Sequence, residues 1–530
     1  MPEHSAGANS LSDSPPKGIV FYPFSYALYT DELTSFCWYC LKTDLDIRLR
    51  RCGGCHFAIY CNHDCQKLGW KDHKGECKGF KKVENLPDIE VRLLGRIVVR
   101  YKDIYKGRDK TEEGFYQDRQ SRRSIMDIWS HADKMIKDPV AIKKFEELYA
   151  GLVEFYEEKN LMSKETVFQL HCRDYINRHA ICDKGYVREI GKGLYLDLCQ
   201  YDHSCRPNVI YTCDGFVATL RALSPGVNLA DIKNTHYTYI DLLNPVQQRR
   251  KLLRDTWYFD CMCERCIDQS DHRLSAVLCP NCQQGEQEPL CIFGEHPYKD
   301  PESQKITCPK CSNEVQKEYV VLCIESMRQV DNIFEDADLK KLGRKEQIDF
   351  LDELFTRYTQ ILPPTNVFLG RLIQGLISRS SSNEDLLRLH LASEPCVRIC
   401  FPHNHPAVAF HFRNIGIFLS NLGKHEEALP YFEDAQQMLE FVLGTSHSLF
   451  EEVSELRSQS ETKLSDQRKR ERFANLTMDQ RRRLIEEDVR RIRIAEAEPE
   501  KANSNGDGGK ESGQAANVVT PEDDDLPPLV

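Results

Sequence analysis

The eight residues Tyr201-Asp-His-Ser-Cys-Arg-Pro-Asn208 contain one cysteine, Cys205, with no second cysteine at CxxC spacing beside it. Further along, the segment Cys261-Met-Cys263-Glu-Arg-Cys266 offers three cysteines. A tetrahedral zinc site needs four thiolate or imidazole ligands, so this cluster is one ligand short. Cys205 is the natural fourth ligand. Such a site would hold the 201–208 loop against the segment after residue 255, with a pocket where the two meet.

The composition is that of a soluble, globular chain, with 41% hydrophobic and 29% charged residues. Its 530 residues leave room for about three or four domains with cores of their own. No apolar run reaches the length of a membrane span, and the polar N-terminus lacks the build of a signal peptide. A formal net charge of -11 argues against nucleic-acid binding by the chain as a whole. Binding of nucleic acid by its local basic segments remains an alternative.

The chain has 23 cysteines and no targeting segment, which indicates metal sites rather than disulfides and a reducing compartment: the cytosol, the nucleus or both. Residues 37–77 contain four ligand pairs around the knuckle turn Gly53-Gly54. The spacing predicts a two-zinc module that folds a segment too small for its own core. Two further CPxC pairs predict a zinc ribbon. The predicted ligands are Cys37, Cys40, Cys52, Cys55, Cys61, Cys65, His73 and Cys77 in the module, and Cys279, Cys282, Cys308 and Cys311 in the ribbon.

The other segments differ in their periodicity. Aromatic and β-branched residues predict strands in 18–29, interrupted at Pro23, and again in 175–182 and around the hairpin turn Asp214-Gly215. Helical spacing predominates in 85–170 and from 316 onward, where 414–435 has the spacing of a tetratricopeptide helix pair. Residues 464–498 predict a charged helix capped by Thr477-x-x-Gln480, either a solvated helix or a basic nuclear-import or nucleic-acid patch.

Together these motifs resemble those of the SMYD (SET and MYND domain-containing) protein-lysine methyltransferases. The HSCxPN sequence at 203–208, Tyr239-Ile-Asp241 ahead of an arginine-rich helix, and the CxCxxC sequence at 261–266 resemble the SET and post-SET core. The module at 37–77 resembles the MYND finger, in which pairs one and three bind one zinc and pairs two and four the other. The resemblance covers roughly residues 17–460.

The resemblance implies a multidomain α+β fold. A small β-rich SET core is split by a MYND zinc finger and a helical insert, and is followed by a zinc-binding post-SET region and C-terminal α-helical TPR-like repeats. The implied parts are a disordered N-terminus (1–16), an N-terminal SET fragment (17–36), the finger (37–77), the helical SET insert (78–170), the SET core (171–243), the post-SET zinc region (244–275), the zinc ribbon (276–315), the TPR-like domain (316–463), the charged helix (464–498) and a disordered tail (499–530).

The implied activity is transfer of a methyl group from S-adenosylmethionine to histone or non-histone lysines, in the nucleus and the cytoplasm. Tyr239 is the implied catalytic residue, because its hydroxyl would orient the methyl group and the amine. The methyl donor would be held by His131, Asn177, Asp202, His203, Tyr239, Trp257 and Phe259. Zinc is implied at Cys205, Cys261, Cys263 and Cys266 as well as in the finger. The implied partners are a protein substrate, proline-rich peptides on the finger and a chaperone tail on the helical repeats.

The chemistry requires an uncharged lysine. A free lysine has a pKa of about 10.4 and is protonated at neutral pH. A narrow apolar channel beside a positive sulfonium lowers that pKa by desolvation and by like charge, and aromatic walls suit such a channel. Catalysis then rests on alignment of the amine, the methyl group and the leaving sulfur.

Several features depart from the family pattern. Asp202 replaces an asparagine, Trp257 replaces a tyrosine, and His179 stands where a phenyl ring lines the lysine channel. No glycine loop precedes residue 18, and the loop before Tyr239 is enlarged. An alternative is therefore a catalytically degenerate scaffold that binds partner proteins through its zinc finger and helical repeats.

Overall fold

The computed structural model describes residues 18–43, 47–83, 85–108, 123–183, 185, 188–282, 290–293, 305–497 and 527–529. The N-terminus predicted to be disordered (1–16) and the region of the expected glycine loop lie outside these residues. Within the described residues, no helix combines the length and the apolar character needed to cross a bilayer.

Short antiparallel strands form the β structure of the described chain. The strands are β1 Ile19–Phe21, β2 Ser25–Leu28, β3 Arg50–Arg51, β4 Ile59–Tyr60, β5 Arg178–Cys182, β6 Glu189–Leu194, β7 Val209–Asp214, β8 Val217–Ala222, β9 Val277–Leu278 and β10 Leu290–Cys291. They pair in the orders β1-β8-β7, β2-β6-β5, β3-β4 and β9-β10.

Helices make up most of the remaining described chain. They are α1 His63–Phe80, α2 Ile89–Tyr105, α3 Ala132–Met135, α4 Pro139–Tyr156, α5 Lys164–Asn177, α6 Val246–Trp257, α7 Glu264–Ile267, α8 Lys317–Ile333, α9 Ala337–Lys341, α10 Arg344–Tyr358, α11 Val367–Ile377, α12 Asn383–Cys400, α13 Pro406–Asn421, α14 His425–Leu443, α15 Ser448–Ala474 and α16 Met478–Ala497.

Two three-stranded sheets join the segment before the finger to the segment after the helical insert. β1 pairs with β8, so that Val20 lies opposite Thr219, and β2 pairs with β6, so that Tyr26 lies opposite Gly193. The predicted hairpin at Asp214-Gly215 links β7 and β8, with Gly215 at φ +59°. The finger and the insert therefore interrupt one β-rich core in the sequence but not in space.

The finger is fixed to the helical insert by a buried ion pair. Both Arg96 nitrogens that face Glu76 lie 2.7 Å from its carboxylate oxygens, and the Tyr156 hydroxyl donates to the same carboxylate at 3.2 Å. Burial raises the pKa of Glu76, but the Arg96 charge outweighs it, and the pKa is lowered to about 2. The carboxylate is therefore ionised and links α1 to α2.

From α8 onward the chain folds into consecutive helices with their own apolar cores. α13, α14 and α15 bury Phe412, Phe432 and Val453 among others. Arg221 donates to the Val442 carbonyl at 3.4 Å, and Asn404 donates to the Leu223 carbonyl at 3.0 Å. These helices are thus docked on the β-rich core.

Three predictions of secondary structure differ from the observed elements. Residues 175–177 end α5 instead of beginning a strand, and the strand starts at Arg178. Residues 124–129 contain a single 3-10 turn, Ile125–Asp127. The charged segment 464–498 is not one helix, because α15 runs through to Ala474 and α16 begins at Met478. Thr477 and Gln480 exchange the predicted capping bonds at this second helix.

Candidate active site and metal centres

The structure brings together the ligand atoms of each predicted metal group. Each group of four has its sulfur and imidazole atoms within 4.8 Å of one another. A tetrahedral zinc with Zn–S bonds of about 2.3 Å places neighbouring sulfurs about 3.8 Å apart. The observed separations include 3.7 Å for Cys40 and Cys61, 3.8 Å for Cys279 and Cys311, and 3.6 Å for Cys205 and Cys266. The donor sets and their spacing fit zinc.

In the finger, the first and third ligand pairs form one metal group, and the second and fourth pairs form the other. Cys37 and Cys40 meet Cys61 and Cys65, and the second group consists of Cys52, Cys55, His73 and Cys77. His73 Nε2 lies 3.4 Å from the Cys55 sulfur, while its Nδ1 faces Glu76 at 4.0 Å. At 4.0 Å this separation is longer than a hydrogen bond, so Glu76 lies beside the second metal group without bonding its histidine.

The third group lies where the 201–208 loop meets the residues after α6. The Cys205 amide donates to the Cys263 sulfur at 3.4 Å. Behind this group Asp271 pairs with both Arg249 and Arg265, at 2.7 and 2.8 Å. All three side chains are buried. Cys205 is thus held against the 261–266 segment, as the sequence predicted.

The segment 235–239 runs beside the same loop and places Tyr239. His203 and Tyr237 form a parallel bridge, and the Ser204 amide donates to the Tyr237 carbonyl at 3.0 Å. The Tyr239 amide donates to His203 Nδ1 at 3.0 Å. The Tyr239 hydroxyl donates to the Tyr201 carbonyl at 2.9 Å. The loop therefore fixes both ends of this tyrosine, the amide through the His203 side chain and the hydroxyl through the Tyr201 backbone.

Aromatic rings surround Tyr239. Its ring centroid lies 5.1 Å from that of Tyr237 and 5.7 Å from that of Trp257. Tyr237 in turn lies 5.7 Å from both Tyr211 and His179. We call these five side chains the aromatic enclosure. No motif in the sequence marks Tyr237 or Tyr211, although Tyr237 stands two residues before Tyr239 and therefore on the same side of an extended segment.

Burial keeps the polar groups of the enclosure uncharged. It raises the pKa of the Tyr239 hydroxyl above its usual value of 10.0, to which the Asp202 charge adds, and it raises the pKa of Tyr237 strongly. Burial also lowers the pKa of His179 to about 4. His179 Nε2 lies 2.7 Å from the Tyr237 hydroxyl. At neutral pH the enclosure is therefore a polarisable but uncharged wall.

The other residues predicted to hold the methyl donor form a continuous chain of contacts beside the enclosure. The Asn177 amide donates to the Trp129 carbonyl at 2.8 Å, and Trp257 donates to the neighbouring Ile176 carbonyl at 2.9 Å. The His131 ring stacks on Trp129 with centroids 6.1 Å apart. The exposed indole of Trp129 is a further candidate, and its only sequence signal is its position beside Ser130-His131.

On the opposite side, Phe259 lies 6.2 Å from the ring of His203, and Asp202 is exposed next to it. Burial lowers the pKa of His203 to about 4, so the imidazole is neutral at physiological pH. One anionic side chain, hydrogen-bonding amides and aromatic faces are the groups that a cationic sulfonium nucleoside requires. The predicted donor residues thus fit S-adenosylmethionine.

A groove of about 780 Å³ opens next to this region. Its walls come from the 203–208 loop, the segment 259–264, and residues 402–404 between α12 and α13. Asp260 and Glu264 also line it, but both carboxylates are paired with arginines, Asp260 with Arg254 and Glu264 with Arg206, each at 2.7 Å. His203 and Phe259 are among the other residues of its wall.

Comparisons with known proteins agree with this arrangement. Residues 37–77 match the MYND finger family model. The chain is 26% identical over 417 residues to the human histone-lysine N-methyltransferase SMYD3, covering 77% of this chain and 83% of that protein. It is 24% identical over 443 residues to the zebrafish N-lysine methyltransferase SMYD2-B (82% and 90% covered). It is also 24% identical over 467 residues to the mouse histone-lysine N-methyltransferase Smyd1 (84% and 85% covered).

Proposed function

Because this chain belongs to the SMYD family, we propose that it transfers a methyl group from S-adenosylmethionine to the ε-amino group of protein lysines. The relatives are named lysine methyltransferases, which supports a methyltransferase function at the level of the class. The substrates would be histone or other proteins of the nucleus and cytoplasm.

The observation that carries the proposal is the aromatic enclosure around Tyr239, whose hydroxyl is held by the Tyr201 carbonyl. A lysine stem packed among Tyr237, Tyr211 and His179 is removed from water, and desolvation lowers the pKa of its amine. Because burial keeps His179 neutral and the tyrosines protonated, no anion in the enclosure offsets this effect by stabilising the ammonium form.

Tyr239 and its neighbours would position the amine. The Tyr239 hydroxyl is fixed by the Tyr201 carbonyl at 2.9 Å, and this carbonyl marks a point that can also accept a hydrogen bond from an amine. Bound S-adenosylmethionine would supply an electrophilic methyl group and a positive sulfonium. The contribution of the protein is alignment, which is worth up to several orders of magnitude in rate.

The departures from the family pattern are compatible with this role. Asp202 is exposed and carries the charge that suits a cationic donor. The enlarged loop before Tyr239 is held to the 201–208 loop, because the Tyr201 hydroxyl donates to the Leu229 carbonyl at 2.9 Å. Thr235 closes that loop by donating to the Asn228 carbonyl at 3.0 Å.

A second role, binding of proline-rich peptides by the zinc finger, is favoured by one specific observation. The segment Pro527-Pro528-Leu529 lies on the finger, with its carbonyls accepting hydrogen bonds from Gly53 and Gln66. The finger family is a protein-interaction module. A chaperone tail on the helices after residue 316 remains a proposal that rests on family resemblance.

The test is calorimetric titration of the zinc-loaded protein with S-adenosylmethionine, followed by transfer of labelled methyl to a mixture of histones and other proteins. Wild type should bind at micromolar concentration. Tyr239→Phe should bind within a few fold but transfer methyl about 10²–10³ times more slowly, because one positioning hydrogen bond is removed. Tyr431→Phe on α14 is the matched control, a tyrosine whose hydroxyl bonds Glu394 far from the site, and it should retain full activity.

Two outcomes would count against the proposal. Full activity in Tyr239→Phe removes this hydroxyl from the mechanism. No detectable heat at several temperatures, from protein shown to be folded, favours the scaffold that binds partners without methylating them.

A further inference from the structure

Residues 527–529 lie on the zinc finger, although nearly the whole chain separates them from it in sequence. Leu529 forms an antiparallel bridge with Cys52. The Gly53 amide donates to the Pro528 carbonyl at 2.6 Å, and the side-chain amide of Gln66 donates to the Pro527 carbonyl at 2.6 Å. This placement differs from the disorder predicted for 499–530; the rest of that range lies outside the described residues.

The chemistry of the contact matches a pair of prolines. A proline has no backbone N–H, so two consecutive prolines present carbonyl acceptors. The finger supplies the matching hydrogen-bond donors, which are the backbone amide of Gly53 and the buried side chain of Gln66. Leu529 adds an apolar contact, because it packs against the hydrophobic core that includes the finger. Such a surface recognises an extended proline-containing segment through acceptors and one aliphatic anchor.

The glycine pair of the knuckle leaves room for the two proline rings. A Cβ on Gly53 would lie 2.7 Å from the Pro528 oxygen and 3.2 Å from its Cγ. A Cβ on Gly54 would lie 2.9 Å from the Pro527 Cγ. At Gly53 the three nearest atoms all belong to Pro528, so this position is free of contacts within the finger that would exclude a side chain. The absence of a side chain at Gly53 therefore serves the docked segment, whereas a Cβ on Gly54 would also lie 3.0 Å from the Cys77 sulfur of the finger.

We propose that Pro527-Pro528-Leu529 is a built-in ligand of the zinc finger, which competes within the same chain against proline-rich peptides of partner proteins. This rests on the proposed peptide-binding role of the finger. Because an incoming peptide needs the Gly53 and Gln66 donors that the segment already uses, only one of the two can be bound. The finger is self-occupied until a stronger or more concentrated ligand displaces the segment.

The expected size of the effect follows from tethering. A tethered segment that can reach its site acts at an effective concentration on the order of 1 mM. Two hydrogen bonds and one partly buried leucine suggest a weak intrinsic Kd, on the order of 100 μM. The built-in segment would then raise the apparent Kd of a competing peptide about tenfold.

The experiment measures fluorescence anisotropy of a labelled peptide with the sequence of residues 521–530. The full chain is compared with a chain that ends at residue 526. We expect the shortened chain to bind the peptide about ten times more tightly. Equal affinity for the two chains would overturn the proposal, since the segment would then not occupy the finger.

Matched glycine substitutions locate the site. In the shortened chain, Gly53→Ala should abolish peptide binding, because the new methyl group meets the Pro528 position. Gly75→Ala on α1 is the control: its Cβ would meet the Tyr156 ring at 3.6 Å, an ordinary contact, and binding should be retained. Equal zinc contents establish that both fingers are intact. Undiminished binding in Gly53→Ala would place the site elsewhere and overturn the assignment.

Sedimentation of the full and shortened chains distinguishes binding within one chain from exchange between two. A monomer at the concentrations of the anisotropy experiment supports the proposal. A dimer that disappears on shortening would overturn it in favour of a segment seated on a second copy. None of these measurements depends on methyl transfer, so their failure is distinct from failure of the proposed activity.

Discussion

At the residue scale, the hydrogen bond between His179 and Tyr237 links the enclosure to pH. The pKa of His179 is about 4 in the folded protein because of burial, whereas a histidine in an unfolded chain titrates near 6.5. The unfolded state therefore binds more protons between these values. The stability that His179 contributes is complete above about pH 6.5 and is lost as pH falls toward 4.

We predict that His179→Phe makes the protein less sensitive to acid. From pH 7 to pH 5 the wild type should lose about 2 kcal/mol more unfolding free energy than the variant, because the variant has no imidazole to protonate on unfolding. At pH 7 the variant should be less stable by about 1–3 kcal/mol, since the buried Tyr237 hydroxyl loses its partner. Urea denaturation at the two pH values measures both quantities.

Tyr237→Phe is the control for that experiment. It removes the same hydrogen bond from the other side, and it keeps the histidine. At pH 7 Tyr237→Phe should lose about as much unfolding free energy as His179→Phe does. Its further loss of stability toward pH 5 should match that of wild type. Equal pH dependence in wild type and His179→Phe would show that His179 is not the group responsible.

The zinc ligands and three of the five enclosure side chains, Tyr239, Trp257 and His179, could be named from sequence, whereas Tyr211 and Tyr237 could not. Metal ligands stand at short spacings fixed by one ion, so the pattern is local; only Cys205 had to be paired over a distance. Tyr211 and Tyr237 are ordinary tyrosines in β7 and in a loop, and they meet His179 because the segment 235–239 runs beside the 201–208 loop. No spacing in the sequence encodes that crossing.

At the scale of elements, the pair formed by Glu76 on α1 and Arg96 on α2 decides how the finger sits on the insert. Both side chains are buried, and Arg96 also donates to the Tyr26 carbonyl at 2.7 Å. Removing one member of a buried pair leaves the other charge without compensation.

We predict that Glu76→Gln lowers the unfolding free energy by about 3–5 kcal/mol, because the Arg96 charge loses its buried partner. Denaturation at a fixed zinc concentration measures the effect. The control is Glu147→Gln on α4, whose exposed partner Lys143 lies 3.9 Å away, and it should cost less than about 1 kcal/mol. Similar losses of unfolding free energy in both variants would show that the buried pair of Glu76 contributes no more than an exposed one.

Element boundaries show where local preference was overridden. Residues 175–177 have the aromatic and β-branched character of a strand, yet they complete α5, whose last turn closes where the backbone N–H of Arg178 donates to the Asp174 carbonyl. The capping box at Thr477 was recognised, but it begins a second helix; the preceding charged residues continue α15. A cap in the sequence fixes where a helix starts, and it carries no information about where the previous one ends.

At the scale of the whole molecule, the third metal group is the junction of three parts of the chain. Arg265 donates to the carbonyls of Cys205, Leu242 and Cys400, which belong to the 201–208 loop, the segment before α6 and the end of α12. The distances are 3.1, 3.2 and 3.1 Å for Cys205, Leu242 and Cys400. Arg265, beside the third metal group, therefore ties the 201–208 loop, the segment before α6 and the end of α12 to one another.

We predict that the loss of one zinc has different consequences at different groups. Cys205→Ser should reduce the zinc content by about one ion per chain and abolish micromolar binding of S-adenosylmethionine, because the loop that carries Asp202 and His203 is no longer held against Trp257 and Phe259. Cys279→Ser in the ribbon should remove one zinc as well, and binding should persist, because the ribbon group lies outside the contacts that form the enclosure. Elemental analysis and calorimetry of both variants measure these effects. If the two substitutions reduce binding equally, zinc acts on the site through global stability; if only Cys205→Ser does so, the third group holds the pocket closed.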